Sequence, residues 1–337
     1  MVVSAEPLLE VSDLAVTLHT PQGPLRAAEG VSFAVAAAEA VGLVGESGSG
    51  KSVAMRAILG LLPRGSTVSG SVRFAGRELV GVAERQLAPI RGREISMIFQ
   101  DPMTALNPIR RIGGQIGEVL RIQLGWNRRR ASAHARELLA RVEIAEPDRV
   151  LRQFPHQLSG GMRQRVLIAM ALACQPRLIL CDEPTTALDV TTQDQILALL
   201  RRASDESGAA MIFVSHDLAV VRQLCSRVLV MYAGRLVEMG PIGPVFADPR
   251  HAYTAALLRS LPAIDGPRQP PVSIGGELPD RFRPPSGCRF RTRCTVADDS
   301  CASLPSTLLP VDGERGSACI HAATGLPDRG AESGVSR

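Results

Sequence analysis

GESGSGKS, residues Gly45–Ser52, is the stretch that decides how the rest of this sequence is interpreted. It has the spacing G-x-x-x-x-G-K-[ST] and lies between an apolar run, AVGLVG, and a run with helical spacing, VAMRAILGLL. In this order of strand, loop and helix, glycines let successive backbone N–H groups point at phosphate oxygens. Lys51 is the only lysine among 38 lysine and arginine residues. Its compact ammonium suits β- and γ-phosphates better than a planar guanidinium, so we predict a phosphate-binding lysine.

Length and composition limit the alternatives. The 337 residues can form one large α/β domain with an appendage. A net charge of +5 suits anionic partners, but an aromatic content of 3 % argues against base stacking, so we expect no nucleic-acid partner. The N-terminus lacks a secretory signal, and no apolar run is long enough for a membrane helix. We therefore expect a cytoplasmic chain whose seven cysteines are thiols or ligands rather than disulfides.

A second apolar run ends in two acids, in RLILCDEPTTALD (Arg177–Asp189). It predicts a buried parallel strand that presents Asp182 and Glu183 at its carboxyl end, where ligands bind in open α/β sheets. We expect Asp182 to hold Mg²⁺ together with the hydroxyl of Ser52, and Glu183 to act as general base on the attacking water.

Between these two stretches lies LSGGMRQRVLIAMALACQP, which begins at Leu158. Ser159, Gly160 and Gly161 precede apolar residues at helical spacing and form a second anion-binding helix start. The chain already has one phosphate-binding site in its phosphate loop. A second anion-binding helix start therefore suggests that two subunits share each ATP.

These motifs, in this order, resemble those of the ATP-binding cassette family over roughly residues 8 to 262. The matching stretches are Gly45–Ser52 (Walker A), Gln100 (Q-loop), Leu158–Met162 (signature), Asp182 and Glu183 (Walker B and catalytic glutamate), Ala187–Asp189 (D-loop) and His216 (switch histidine).

The resemblance implies a fold and domain boundaries. The fold is α/β, a P-loop NTPase core with a parallel sheet, an N-terminal antiparallel β subdomain, an inserted helical subdomain at about residues 103–158, and an irregular cysteine-rich C-terminal extension. The expected units are a nucleotide-binding domain at 1–247, an extension at 248–321 and a disordered tail at 322–337. A Pro- and Gly-rich stretch at 264–287 is expected to be an extended connection.

The resemblance also implies roles for individual residues. The catalytic residues would be Glu183, His216 and Gln100, and Gln100 would also contact Mg²⁺ held by Ser52 and Asp182. ATP would be bound in trans by the partner's equivalents of Ser159, Gly160 and Gly161, and in cis by the Walker A residues Gly45, Glu46, Ser47, Gly48, Ser49, Gly50, Lys51 and Ser52. The family's adenine-stacking aromatic residue is missing, and His19 is the candidate in its place.

The segment after Gln100, QDPMTALNPIRRIGGQI, resembles that of di- and oligopeptide importers. This resemblance implies an ATPase at the cytoplasmic face of the inner membrane, working with two permease subunits and an extracytoplasmic peptide-binding protein. Met162 stands where most cassettes carry glutamine, so we expect a second, non-identical ATPase subunit. Import of nickel or another small solute, and a soluble non-transport ATPase, remain alternatives.

Four cysteines follow the cassette with the spacing C-x5-C-x6-C-x17-C: Cys288, Cys294, Cys301 and Cys319. Four thiolates can hold zinc or a [4Fe–4S] cluster, and the spacing alone does not choose between metal and unligated thiols. Similar segments in dipeptide importers hold an iron–sulfur cluster, which favours that cofactor. Arg289, Arg291 and Arg293 are expected to offset thiolate charge and depress the thiol pKa values.

Overall fold

The computed structural model describes residues 6–186, 188–260, 274–303 and 307–323. Within these ranges no helix has both the length and the apolar character needed to cross a bilayer. The predicted features that lie partly outside them include residue 187 of the D-loop, residues 264–273 of the connection and residues 324–337 of the tail.

The described residues form two sheets. The strands are, in chain order, β1 (Leu9–Thr20), β2 (Gly23–Val35), β3 (Ala40–Val44), β4 (Thr67–Phe74), β5 (Arg77–Glu78), β6 (Ile95–Ile98), β7 (Leu178–Asp182), β8 (Ala210–Ser215), β9 (Arg227–Tyr232), β10 (Arg235–Pro241), β11 (Leu309–Asp312) and β12 (Arg315–Ser317). The N-terminal sheet has the order β2-β1-β4-β5 and is antiparallel. Its presence agrees with the expected N-terminal β subdomain.

The second sheet has the order β11-β12-β10-β9-β3-β8-β7-β6. The five strands from β9 to the β6 edge, in the order β9-β3-β8-β7-β6, are parallel. Every residue of β7 and β8 is buried. Alternate side chains of β8 enter different apolar clusters: Met211 and Phe213 on one face, Ile212 and Val214 on the other. Burial on both faces explains why these strands read as continuous apolar runs.

Helices cover this sheet and carry the chain between its strands. They are α1 (Lys51–Ile58), α2 (Glu84–Leu87), α3 (Pro102–Ala105), α4 (Ile112–Leu124), α5 (Arg128–Arg141), α6 (Pro147–Arg152), α7 (Gly160–Leu172), α8 (Val190–Ser207), α9 (Leu218–Leu224), α10 (Ile242–Ala247), α11 (Ala252–Arg259) and α12 (Ser300–Ser303). Helices α3 to α6 occupy the chain between β6 and α7, where the helical insert is expected. Ile116 and Leu120 of α4 share an apolar cluster with Ala135 and Leu138 of α5.

The C-terminal extension is more regular than the sequence predicts. Strands β11 and β12 form a hairpin, and β12 pairs with β10 through Glu238↔Ser317 and Met239↔Gly316. The extension thus adds two strands to the cassette's own sheet and covers the edge of β10, which would otherwise offer unpaired backbone groups. The structure corrects the prediction at residues 309–317, because the sequence does not reveal which sheet edge is open.

Candidate nucleotide-binding site

The phosphate loop joins β3 to α1. Three of its glycines have positive φ angles: +151° at Gly45, +77° at Gly48 and +105° at Gly50. A Cβ on Gly50 would lie 2.3 Å from the carbonyl oxygen of Ala27, and one on Gly45 would lie 2.1 Å from that of Met231. Backbone conformation and close packing therefore both require glycine at these two ends of the loop.

Lys51 is buried inside the loop that it follows. Its Nζ donates to the carbonyl oxygens of Gly45 at 2.7 Å and Glu46 at 2.9 Å, and to Ser49 Oγ at 3.4 Å. Burial lowers the pKa of Lys51, and three nearby carboxylates oppose this shift. The three N–H donors of the Lys51 ammonium match these three acceptors. This match explains why position 51 has a lysine, although every other Lys or Arg position in the chain has an arginine.

Ser52 and Asp182 meet across the site, as the sequence predicts. Ser52 Oγ donates to Asp182 Oδ1 at 2.6 Å, and Arg56 Nη2 lies 3.8 Å from Oδ2. Burial raises the pKa of Asp182, while the Ser52 hydroxyl and Arg56 act to lower it. Among the described residues, the buried Oδ2 atom accepts no hydrogen bond. A hydroxyl and an unsatisfied carboxylate oxygen form a donor set that suits Mg²⁺.

Gln100, Glu183 and His216 also come together, although they lie far apart in the sequence. Glu183 Oε2 accepts from Gln100 Nε2 at 3.1 Å and from Thr186 Oγ1 at 2.8 Å, and it lies 3.5 Å from His216 Nδ1. Glu183 has a φ angle of +46°, a conformation that non-glycine residues rarely adopt. Strain of this kind is concentrated at functional sites, and here it directs the carboxylate toward the cavity.

A cavity of about 560 Å³ lies between the phosphate loop and this group. The sequence-predicted residues that line it include Ser47, Lys51, Gln100, Glu183 and His216. A cavity of several hundred Å³ is the usual size for a cofactor or nucleotide site.

His19 does not line this cavity. Its Nε2 lies 3.1 Å from Thr67 Oγ1 on the neighbouring strand, whereas Leu18 lines the cavity. Adjacent strand residues point to opposite faces, so only one of the two can face the ligand. The structure therefore places Leu18 and not His19 against the cavity, and the stacking of His19 on adenine stays a prediction.

The signature residues lie away from the cavity of their own chain. Ser159 is the N-cap of α7, and its Oγ accepts from the N–H of Met162 at 3.3 Å. Ser159 and Gly160 are exposed, and Gly161 is partly buried against Thr192. An exposed helix start is consistent with a contact made to another subunit.

One wall of the cavity comes from the C-terminal extension, which the sequence did not predict. The wall residues are Pro279, Asp280, Arg281, Pro284 and Arg289. Arg289 is almost fully buried, donates to the carbonyl oxygen of Ala233 and forms an ion pair with Glu29 of β2.

A second arginine of the extension holds the phosphate loop. Arg293 Nη1 and Nη2 bind the two carboxylate oxygens of Glu46 at 2.7 and 3.1 Å, and the Tyr253 hydroxyl accepts from the N–H of Glu46 at 2.7 Å. Glu46 could have predicted this contact, because an acidic residue within an anion-binding loop needs a cationic partner. The pairing was not predicted from the sequence.

The four cysteines of the extension line one small cavity of about 20 Å³. Cys288 Sγ lies 3.9 Å from Nε2 of the buried His251. All four are free thiols, and burial raises the pKa values of Cys288 and Cys294 and raises that of Cys319 to about 11. The sequence-predicted cysteines are therefore brought together.

The interleaved arginines do not depress these thiol pKa values, contrary to expectation. Arg289 and Arg293 point to Glu29 and Glu46, and Arg291 Nε donates to the carbonyl oxygen of Ser286 at 3.0 Å. Arg289 and Arg293 hold the extension on the cassette, and burial is the largest influence on the pKa values of Cys288, Cys294 and Cys319.

Among the described residues, a tighter set of possible metal ligands combines one of these cysteines with two other residues. One ligand atom from each of Asp298, Cys301 and His321 lies within 4.8 Å of the other two. His321 Nε2 lies 3.2 Å from Asp298 Oδ2.

Comparison with known proteins agrees with this geometry. The ABC transporter family model matches residues 28–186, and the model of the oligopeptide/dipeptide transporter C-terminal region matches residues 237–301. The chain is 46% identical over 301 residues to the oligopeptide transport ATP-binding protein OppD of Salmonella typhimurium, covering 89% of this chain and 90% of that protein. Identity to OppD of Escherichia coli is 45% over 301 residues, covering 89% of each.

A solved structure supports the same fold. The dimeric ATP-binding cassette MJ0796, in a post-hydrolysis state bound to ADP and Pi, matches with a TM-score of 0.63 and 29% identity over 69% of this chain and 98% of that chain. These matches confirm the family resemblance that the motifs indicated. The chain therefore belongs to the ATP-binding cassette family of ATPases, in its oligopeptide/dipeptide transporter branch.

Proposed function

We propose that this chain hydrolyses ATP to power the import of di- or oligopeptides through partner permease subunits. The observation that carries the proposal is one cavity surrounded by the phosphate loop, the Ser52–Asp182 pair and the Glu183 group. The cargo assignment is supported by the match of residues 237–301 and by relatives named for oligopeptide transport.

ATP binds with its phosphates on the loop residues 45–52, where backbone N–H groups and the start of α1 favour negative charge. On binding, Lys51 exchanges carbonyl partners for phosphate oxygens. Ser52 and Asp182, with Gln100, would hold Mg²⁺, which neutralises phosphate charge when bound.

Hydrolysis needs a group that takes a proton from the attacking water. Glu183 fits this role, because Gln100 and Thr186 both donate to Oε2 and thereby orient the carboxylate. Oε1 accepts no hydrogen bond from the described residues and is open to a water proton. His216, whose Nδ1 lies 3.5 Å from Oε2, orients the water and the terminal phosphate.

A second ATPase subunit completes each site. The exposed Ser159 and Gly160, with the partly buried Gly161, form a helix start that would meet the γ-phosphate bound by the partner chain. Met162 in the signature favours an unlike partner. The assembly would include two permeases and an extracytoplasmic peptide-binding protein, with this chain peripheral at the cytoplasmic face of the inner membrane.

We also propose that the extension holds a metal centre. The supporting observation is that Cys288, Cys294, Cys301 and Cys319 line one cavity, as a four-thiolate site requires. A [4Fe–4S] cluster is favoured, with Zn²⁺ as the alternative. Its place outside the nucleotide cavity indicates a structural or regulatory role.

The reaction is tested with Glu183→Gln in the assembled importer, in vesicles with both permeases and the binding protein. We expect MgATP to bind with unchanged affinity, while hydrolysis and labelled-peptide uptake fall by at least about a hundredfold. Glu137→Gln, on the exposed face of α5, is the matched control and should retain both activities. Hydrolysis at the wild-type rate in Glu183→Gln would refute the general-base role. Uptake of nickel but not peptide by the wild type would refute the cargo.

A further inference from the structure

The nucleotide cavity has a wall that belongs to the C-terminal extension, more than 225 residues along the chain from the phosphate loop. This wall is held at both ends. Arg293 donates to the carbonyl oxygens of Gly275 at 2.8 Å and Ile274 at 3.0 Å, and Arg289 is tied to Ala233. Because Arg293 also binds Glu46 of the phosphate loop, both ends of the segment are connected to the cassette.

Within this segment, Arg281 lies directly on the phosphate loop. A Cβ on Gly48 would lie 1.8 Å from Arg281 Nη2 and 2.7 Å from its Cζ. The guanidinium therefore rests against the Cα of Gly48, and any larger residue at position 48 would displace it. Gly48 thus has two functions, since its φ of +77° shapes the loop and its missing side chain admits the arginine.

Arg281 differs from the two neighbouring arginines that are committed to the protein. Arg289 and Arg293 each pair with a carboxylate. Among the described residues, Arg281 makes neither a hydrogen bond nor an ion pair, although a guanidinium has five N–H donors. A cation at a phosphate-binding loop, without an acid of its own, is suited to an anionic ligand in the adjoining cavity.

We propose that Arg281 is a nucleotide-binding residue that contacts the phosphates of ATP from its position against Gly48 of the loop. The inference rests on the proposed function, since it requires that ATP occupies this cavity. The C-terminal extension thereby becomes part of the ATP site of its own chain, and it supplies, in addition to Lys51, a guanidinium that has no carboxylate partner among the described residues. It also gives this cavity a polar wall in a chain where no aromatic residue of β1 faces the nucleotide.

The test measures equilibrium binding to the purified full-length chain with Mg²⁺, using ATP, ADP and adenosine as ligands. Arg281→Gln should weaken ATP and ADP about tenfold, because a charge-assisted hydrogen bond is lost, and should leave adenosine unchanged. Arg281→Lys should restore part of the loss. Arg283→Gln is the matched control: it removes an exposed arginine two residues away that does not line the cavity, and all three affinities should stay at wild-type values.

The Lys51→Ala variant distinguishes an error in the assignment of Arg281 from an error in the proposed nucleotide site. If Lys51→Ala abolishes ATP binding and Arg281→Gln has wild-type affinity, the assignment of Arg281 is wrong and the proposed function stands. If Lys51→Ala leaves ATP binding intact, the proposed nucleotide site itself is wrong. Tighter ATP binding in Arg281→Gln would also overturn the inference, since it would mean that the guanidinium obstructs the loop. Equal weakening of adenosine would exclude a phosphate contact.

Discussion

The ion pair between Arg293 and Glu46 should couple the C-terminal extension to the phosphate loop. Its two contacts, at 2.7 and 3.1 Å, form a fork in which both guanidinium nitrogens bind one carboxylate. Arg293 is 4% exposed and Glu46 25% exposed. The guanidinium also lies 5.9 Å from the ring centroids of Tyr232 and Phe290, so few water molecules can replace its partner.

The expected magnitude follows from this burial. Removing one partner of a buried ion pair costs about 3–5 kcal/mol, and the partial exposure of Glu46 places this pair near the lower end. Arg293→Gln should therefore destabilise the chain by about 3 kcal/mol. Glu46→Gln should cost less, about 1.5 kcal/mol, because Arg293 keeps its bonds to the carbonyl oxygens of Gly275 and Ile274. The double variant should cost about 3 kcal/mol, which corresponds to a coupling of about 1.5 kcal/mol.

The assay is urea unfolding of the four chains followed by far-UV circular dichroism, with stability taken from the midpoint and slope. Arg136→Gln is the control, since Arg136 forms an ion pair with Asp148 in which the two side chains are 61% and 53% exposed. Its loss should change stability by less than about 0.5 kcal/mol. If the effects of Glu46→Gln and Arg293→Gln simply add, the two residues do not couple the extension to the loop and the reasoning fails.

Two further predictions concern the same extension. Burial acts to raise the pKa of Glu29, but hydrogen bonds and charge from Arg235 and Arg289 outweigh it and hold the pKa below 4.5. The stability that the ionised Glu29 contributes is present above pH 4.5 and is lost as pH falls. The Glu29→Gln variant should therefore lose less unfolding free energy than the wild type between about pH 5 and pH 3. An identical loss in the two proteins would contradict this prediction. For the metal centre, anaerobically purified chain should absorb broadly near about 400 nm and contain about four irons. Cys294→Ser should lose both while Cys174→Ser keeps them, and one zinc in a colourless protein would exclude the cluster.

The parts of the site that could be predicted from the sequence are formed by residues that are close together in the chain. A glycine-rich loop needs only the strand before it and the helix after it to form an anion site, and both are adjacent in sequence. The apolar run before Asp182 likewise indicates a buried strand whose carboxyl end carries acids. The structure brings these two local units together through the Ser52–Asp182 hydrogen bond, because β3 and β7 are parallel strands of one sheet and end at the same edge.

The side chains of β1 show where neighbouring residues in the sequence are not enough to predict which side chain faces the cavity. The pairing of β1 with β2 has a register shift between Val11 and Leu14, where β1 carries the extra residue and Asp13 has a φ angle of +49°. This bulge reverses the alternation of faces along β1, so counting alternate residues from Leu9 and Val11 would point His19 rather than Leu18 toward the cavity. The structure places Leu18 and not His19 against the cavity for this reason, and the adenine-stacking role of His19 stays a prediction.

The sequence by itself determined the family, the phosphate loop, the acidic strand end and the clustering of four cysteines in the extension. Only the tertiary structure decided that the extension pairs with β10, that Arg293 binds Glu46 across 247 residues, and that Arg281 lies on Gly48. Motifs are visible in sequence because neighbouring residues make them. Long-range ion pairs and sheet edges are not, because their partners become neighbours only when the hydrophobic core has assembled.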